Sequence, residues 1–452
     1  MTRSERRFAL TVFGTVILVV FSAVLVSVLT KPPPPPPLPI VPAATPIQHI
    51  VEIMQENHAF DNYFGTYPGA YGLPPGIALP DGHGGTVSPH WINGTSTPDP
   101  PHDRASEIAE YAGGLNDRFV IVANAAGAGL GDAAMGYYDA SQIPGYWALA
   151  SRDVLADHYF APVLGPTTPN RLYAIAGQGG GVTSDFVLQG SLSFPTIFDQ
   201  METKGVSWKY YYTSSFLFPA PPLDFSQIAS NPSMTAKIVP LSNLAGDLKT
   251  APLANVTMID TSNDEAVNEH PPGNVTVGER WVLGILQLLE ARPDWNATAM
   301  FLTWDESGGY YDHVPPPQVD AYGYGFRVPL LIVSPYARAG WIDHDVLDHT
   351  SILKFIAVNW GLPALTAREA NASAMFDAFT FPTPSDPPRP SFAADRTPSL
   401  GVPGDSRLAL GTARPVEVPA ALSSEVDPTT RLETRLWPKH SVGPPRRSAS
   451  CT

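Results

Sequence analysis

The sequence predicts an α/β protein: a mainly parallel sheet sandwiched by helices, with long loop excursions. Two kinds of segment carry that expectation. Short apolar runs such as 299–302 (AMFL) and 328–334 (VPLLIVS) have the length and composition of central strands. They alternate with segments of helical spacing, the order that builds a parallel sheet. A third observation explains the loops: the chain has 50 prolines and only 15% charged residues, against a usual quarter or so.

Taken in order, 47–54 (IQHIVEIM) reads as the first strand, ended by Gln55-Glu56-Asn57. Residues 65–101, rich in Gly, Pro and Thr, read as an irregular excursion. Helices are expected over 104–111, stopped by Gly113-Gly114, and over 142–150. In Gly165-Pro166-Thr167-Thr168-Pro169-Asn170-Arg171, the preference of proline for a first helical position makes Thr168 the cap of a helix over 169–176. Thr167 then lies just ahead of a helix N-terminus, where free N–H groups attract a phosphate. A helix over 194–204, strands over 207–212 and 256–259, and a helix over 277–289 with an apolar face at Val277, Trp281, Ile285, Leu288 and Leu289 follow. Asp348-His349-Thr350-Ser351 precedes a last helix over 352–360.

The formal charge of −15 disfavours nucleic acid, whose binding depends on Lys and Arg neutralising phosphates. It also repels a phosphate ester, so a phosphate site here needs a cation to reverse the local sign. Residues 1–31 read as a membrane anchor: Arg3, Arg6 and Arg7 precede a charge-free run, 8–29, about 33 Å long as a helix. That places the body outside the membrane; a cleaved signal with secretion is the alternative. A Pro-rich linker over 32–45, a domain over 46–380 and a Pro-rich tail over 381–452 complete the expected organisation. The single cysteine, Cys451, excludes an intrachain disulfide. Five Asn-X-Ser/Thr sequons, at Asn93, Asn255, Asn274, Asn296 and Asn371, are compatible with an outside location.

The stretch 303–317, TWDESGGYYDHVPPP, concentrates the chemistry. Asp305 and Glu306 follow an apolar strand, where open α/β sheets bind ligands, and Gly308-Gly309 permit a sharp turn. Adjacent carboxylates there serve a metal or acid/base chemistry, or merely form an acidic turn.

Four segments in order now resemble the phosphoesterase family of bacterial phospholipases C and acid phosphatases, which is related to the alkaline phosphatase superfamily. They are QENHAFDNYFG (55–65), MGYYDASQIPGYWALA through GPTTPNRLY (135–173), TWDESGGYYDHVPPP (303–317), and RVPLLIVSPYARAG with DHTSILKF (327–355). The resemblance implies that Glu56, Asn57, Asp305 and Glu306 hold a divalent metal ion of unknown identity, and that Thr167 is the nucleophile. It implies that His102, His270 and His313 surround the phosphoryl group, with His349 more structural. The implied activity is metal-dependent hydrolysis of a phosphate ester, phospholipid among the candidates, through a phospho-threonine. A phosphomonoesterase for soluble substrates and a decayed binding protein are the competing readings. Two positions depart from the family: Arg-Ser after Glu-Asn is His58-Ala59 here, and a frequent Asn is His158. His83, His90 and His344 read as surface loop positions.

Overall fold

The computed structural model describes residues 41–213, 215 and 219–381. The expected anchor, most of the linker and nearly all of the tail lie outside them. No helix among the described residues is long and apolar enough to cross a membrane.

The central sheet has eight strands: β1 (His49–Gln55), β2 (Val154–Ala156), β3 (Trp208–Tyr212), β4 (Ile238–Pro240), β5 (Val256–Asp260), β6 (Thr298–Trp304), β7 (Leu330–Val333) and β8 (Trp341–Asp343), in the order β8-β2-β7-β6-β1-β5-β3-β4. Strand β7 is antiparallel to both of its neighbours, and every other pairing is parallel. The expected fold class is therefore the one observed. The 328–334 run, although it has the unbroken hydrophobicity of a parallel strand, is the exception in direction. All strands but β7 consequently end at one edge. There β1, β5 and β6 are in register at Met54, Asp260 and Thr303.

Residue parity divides the helices between the two faces. On the face bearing Glu52 and Phe301 lie α2 (Thr167–Ala176) and α4 (His349–Trp360), with Phe355 5.4 Å from Phe301 between ring centroids. The other face, with Trp304, carries helix Pro144–Arg152 through a Tyr146–Trp304 edge contact at 5.3 Å. Helix α3 (Val275–Glu290) joins it there, Glu279 accepting from the Tyr146 N–H at 2.9 Å. Helix α1 (Arg104–Tyr111) sits above the strand ends, capped by Asp103.

Most expected elements appear within a few residues of their sequence bounds, with three differences of substance. Thr168 is not a cap: α2 begins at Thr167 after an extended Pro166, and Pro169 takes its third position, where the missing N–H would have no helical partner anyway. The buried stripe of α3 is Val275, Val282, Ile285, Leu286 and Leu289, while Val277 is exposed. The 65–101 excursion includes a small antiparallel pair, Leu79–Pro80 with Thr86–Val87. Of the sequons, Asn255 is buried, accepts from Ser207 and donates to Gln48, which leaves its amide no exposed face.

Glu52, in the middle of β1, is buried with one carboxylate oxygen unpartnered, and burial pushes its pKa up to about 8 against the opposing pull of Arg171. A raised carboxyl pKa means stability is full below the unfolded value near 4.5 and is lost as pH rises through about 8. Glu52→Gln is therefore expected to raise the melting temperature at pH 9 by several degrees and to leave it unchanged at pH 4.5, roughly 2–4 °C for each kcal/mol in a domain of this size. Thermal unfolding at the two pH values checks this.

Candidate active site at the strand ends

A cavity of about 700 Å³ opens beyond the carboxyl ends of the strands, lined by Glu56, His102, Thr167, Arg171, Asp185 and His270 among others. Each side chain arrives there for a local reason. Glu56 and Asn57 continue β1, and Asn57 adopts a left-handed φ of 60°, which asparagine tolerates better than most residues. Asp305 and Glu306 continue β6 and turn through Gly308 and Gly309, with φ of 65° and 69°. A Cβ at Gly308 would lie 2.3 Å from the Asn57 carbonyl oxygen, and one at Gly309 would lie 2.5 Å from that of Pro101. The glycines thus let the Asp305 stretch close against Asn57 and the 100–102 segment. That approach brings Asn57 N–H to Asp305 Oδ1 at 3.2 Å.

Arg171, from α2, binds all three central strand ends. Its guanidinium donates to Asp260 (2.8 Å), Asp305 (3.2 Å), Glu56 (3.3 Å) and the Gln55 carbonyl (3.2 Å). Sequence reasoning missed it. Burial, reinforced by Asp305, still pushes Glu56 well above the usual carboxylate range, Arg171 opposing. Burial does the same to Glu306, with Glu107 and Asp305 as its charged neighbours. Glu107, from α1, was also missed; it accepts from Ser307 Oγ at 2.8 Å and from the Gly165 N–H, and burial holds it up near 8.

His102 Nδ1 lies 2.8 Å from the Pro100 carbonyl, which fixes the ring proton there. Its Nε2 then accepts from Asn57 Nδ2 at 3.1 Å, and that orientation leaves Asn57 Oδ1 without a partner. Glu306 Oε1 is likewise buried and unpartnered, 3.8 Å from His102 Nε2. Two buried acceptors lacking donors, beside further carboxylates, fit a hard divalent cation, which takes oxygen ligands. Among the described residues the carboxylates of Glu56, Asp305 and Glu306 do not converge as one compact triplet, and Arg171 engages both Glu56 and Asp305.

Thr167, the first residue of α2, lines the cavity with Thr168. Thr168 is turned to Asp185, which accepts from its N–H at 2.8 Å, while its hydroxyl donates to the Asp185 carbonyl at 3.1 Å. His270 also lines the cavity, its ring 5.4 Å from that of His102. His313 does not: its Nδ1 lies 2.6 Å from Asp61, within a buried network where Arg327 pairs with Asp61 (3.0 Å) and Asp312 (2.8 Å). His349 is buried between Tyr159 (2.8 Å) and the Asp305 carbonyl (2.9 Å), and burial pushes its pKa down to about 3. His58 stacks on Tyr63 and Tyr310 and spans Asn62 (2.7 Å) and the Glu269 carbonyl (3.0 Å), bracing the loop at the departed arginine position. Glu269 itself faces inward, accepting hydrogen bonds from Tyr63 (2.7 Å), Tyr146 (2.5 Å) and Trp304 (3.0 Å).

Residues 47–363 match the phosphoesterase family, most of the described chain. The chain belongs to that family. It is similar to phospholipase C B of Mycobacterium tuberculosis, with 30% identity over 430 residues spanning 79% of this chain and 82% of that one. It also resembles the non-hemolytic phospholipase C of Pseudomonas aeruginosa, at 26% identity over 76% of this chain and 58% of that one. Among solved structures, a protein in the alkaline phosphatase superfamily from Vibrio parahaemolyticus superposes with a TM-score of 0.38 at 11% identity, covering 75% and 74% of the two chains. This phosphoesterase is an ester-hydrolysing enzyme.

Arg171→Met leaves three carboxylates facing each other without their shared cation. It is expected to cost about 3–5 kcal/mol, the usual penalty for breaking a buried ion pair, measured by urea unfolding. Gly308→Ala is expected to destabilise the chain and to abolish hydrolysis, since the Asn57 backbone cannot withdraw without moving the end of β1; unfolding and turnover measured on the same preparation check it.

Proposed function

We propose that the chain is a metal-dependent phosphoesterase of the phospholipase C type, with Thr167 as nucleophile. The observation that carries this is the pair of unpartnered buried acceptors, Asn57 Oδ1 and Glu306 Oε1, beside the cavity that Thr167 lines. Glu56, Asn57, Asp305 and Glu306 would hold a divalent ion, which would favour deprotonation of the threonine hydroxyl and draw charge from the phosphoryl oxygens. Thr167 Oγ1 forms a bond to phosphorus as the bond from phosphorus to the alcohol oxygen breaks. His270, its Nδ1 held 2.7 Å from the Pro271 carbonyl, takes the threonine proton at Nε2 and hands it to the departing alcohol, while His102 orients Asn57. Water then attacks phosphorus, breaks the Thr167–phosphorus bond and releases phosphate or its monoester. Asp185 holds Thr168 away from this role, so Thr167 is the hydroxyl left at the head of α2.

A lipid substrate is favoured over a soluble one by what borders the cavity. Phe186 and Leu188, 72% and 63% exposed, follow Asp185 directly, and Asp185 lines the cavity. Two large apolar side chains held in water at a cavity rim suit insertion into a bilayer surface. The similarity to mycobacterial and pseudomonal phospholipases C supports the same reading. The charge-free 8–29 run, outside the described residues, would keep the domain beside a membrane on its outer side.

Thr167→Ala is expected to lower turnover roughly 10³-fold or more, and Thr168→Ala to retain most of it; the reverse result moves the nucleophile by one residue. Purified chain supplied with divalent ions is expected to cleave phosphatidylcholine vesicles faster than a bis-phosphodiester or a simple monoester. The double substitution Phe186→Ser/Leu188→Ser should slow vesicle hydrolysis severalfold and leave a soluble ester unaffected. Preference for the monoester would favour the phosphatase alternative, and no turnover on any ester would favour the decayed one.

A further inference from the structure

A second cluster with the chemistry of a ligand site stands at the same edge of the sheet but outside the cavity. Asp157 and His158 follow the end of β2, and His344 follows the end of β8, the neighbouring parallel strand. The His158 Nδ1 lies 2.8 Å from Asp157 Oδ1, and the His344 Nδ1 lies 3.0 Å from that same oxygen and 2.9 Å from Oδ2. Two imidazole nitrogens and a carboxylate therefore converge on one point. This is the donor set that zinc and other borderline divalent metals prefer, and it differs from the oxygen-rich group around Glu306.

The cluster is built as a site rather than a chance meeting of surface side chains. The Asp157 side chain is fully buried, and its second oxygen accepts from the Tyr71 N–H at 2.7 Å. The Asp157 backbone is pinned too: its N–H donates to Asp343 and its carbonyl accepts from Arg327 Nη1 at 2.7 Å. The His158 ring rests against Tyr71, 5.1 Å between centroids. His344 is 60% exposed, so the cluster has a solvent face through which an ion enters and where a water completes a fourth position. A further acidic group of Asp343, Asp345 and Asp377 lies close by and adds negative potential at the same corner.

We propose that Asp157, His158 and His344 form a zinc-type divalent metal site separate from the catalytic centre. In the metal-free chain each ring donates from Nδ1 to Asp157. On binding, a neutral ring keeps its single proton, moved to Nε2, and turns the Nδ1 lone pair to the metal. Metal bonds of about 2.0–2.2 Å set tetrahedral edges near 3.3 Å, so the present spacings have to open by only a few tenths of an ångström. The site ties the end of the edge strand β8 to that of its inner neighbour β2.

Full-length chain stripped with a chelator and titrated with Co²⁺ is expected to show the intense visible absorption of a four-coordinate nitrogen-containing site. The double substitution His158→Asn/His344→Ala should lose that band and one equivalent of bound metal, while hydrolysis at saturating divalent ion stays at the wild-type rate. The same band and stoichiometry in the double variant would overturn the proposal. Should that variant fail to fold, wild-type chain decides: Zn²⁺ is expected to protect both His158 and His344 from diethyl pyrocarbonate, read residue by residue by mass spectrometry. Equal modification with and without Zn²⁺ would refute it.

Discussion

One buried guanidinium holds the working edge of this protein together. Parallel strands bring their carboxyl ends side by side, and here β1, β5 and β6 finish in Glu56, Asp260 and Asp305. Left to themselves those carboxylates would repel across a few ångströms in a region of low dielectric. Arg171 meets all three and also caps the Gln55 carbonyl. Because Arg171 belongs to the helix that begins at Thr167, the same contact fixes where that hydroxyl stands relative to the acids. The position of the candidate nucleophile and the compactness of the strand ends are consequences of one ion cluster.

A buried ion cluster is a poor source of net stability but a strict source of geometry. Around it, local hydrogen bonds and forced turns complete the arrangement: Thr168 donates to Asp185, Ser307 to Glu107 and Asn57 to His102. The acids remain under-compensated, as the upward displacement of Glu56 and Glu306 by burial indicates. On the proposed reading, the orphaned oxygens of Asn57 and Glu306 are where a cation would be held, and a cation is what an anionic phosphate ester requires of a protein with a charge of −15.

What could be read from the chain follows the range of the signal. The places of Glu56-Asn57 and Asp305-Glu306 at strand ends were legible because each pair follows an apolar run, and strand ends are local features. The pairing of strands was legible as a class, yet the antiparallel direction of β7 was not, since an apolar run of four or five residues has no polarity of its own. Arg171 was invisible for a different reason. Its partners lie between 89 and 134 residues away for the carboxylates of Asp260 and Asp305, and an arginine in a short helix looks like an ordinary surface residue until the fold closes over it. Thr168 was misread as a cap because proline usually opens a helix, whereas here Pro169 occupies the third position at no cost in helical hydrogen bonds. His313 shared the motif of Asp305 but not its destination: the turn at Gly308-Gly309 carries it to Arg327 and Asp61.

The contact between Gly308 and the Asn57 carbonyl limits how this enzyme can change over generations. With 2.3 Å available to any added carbon, the turn cannot be varied to retune the acids it presents, and an alteration at the end of β1 is transmitted at once to the end of β6. The two halves of the centre must drift together or stay as they are. New substrate preferences would therefore arise elsewhere around the cavity, where Pro219, Pro221 and Glu265 line it from outside the central strands. Chemistry is the inherited part of this pocket, and its outer wall is the part open to selection.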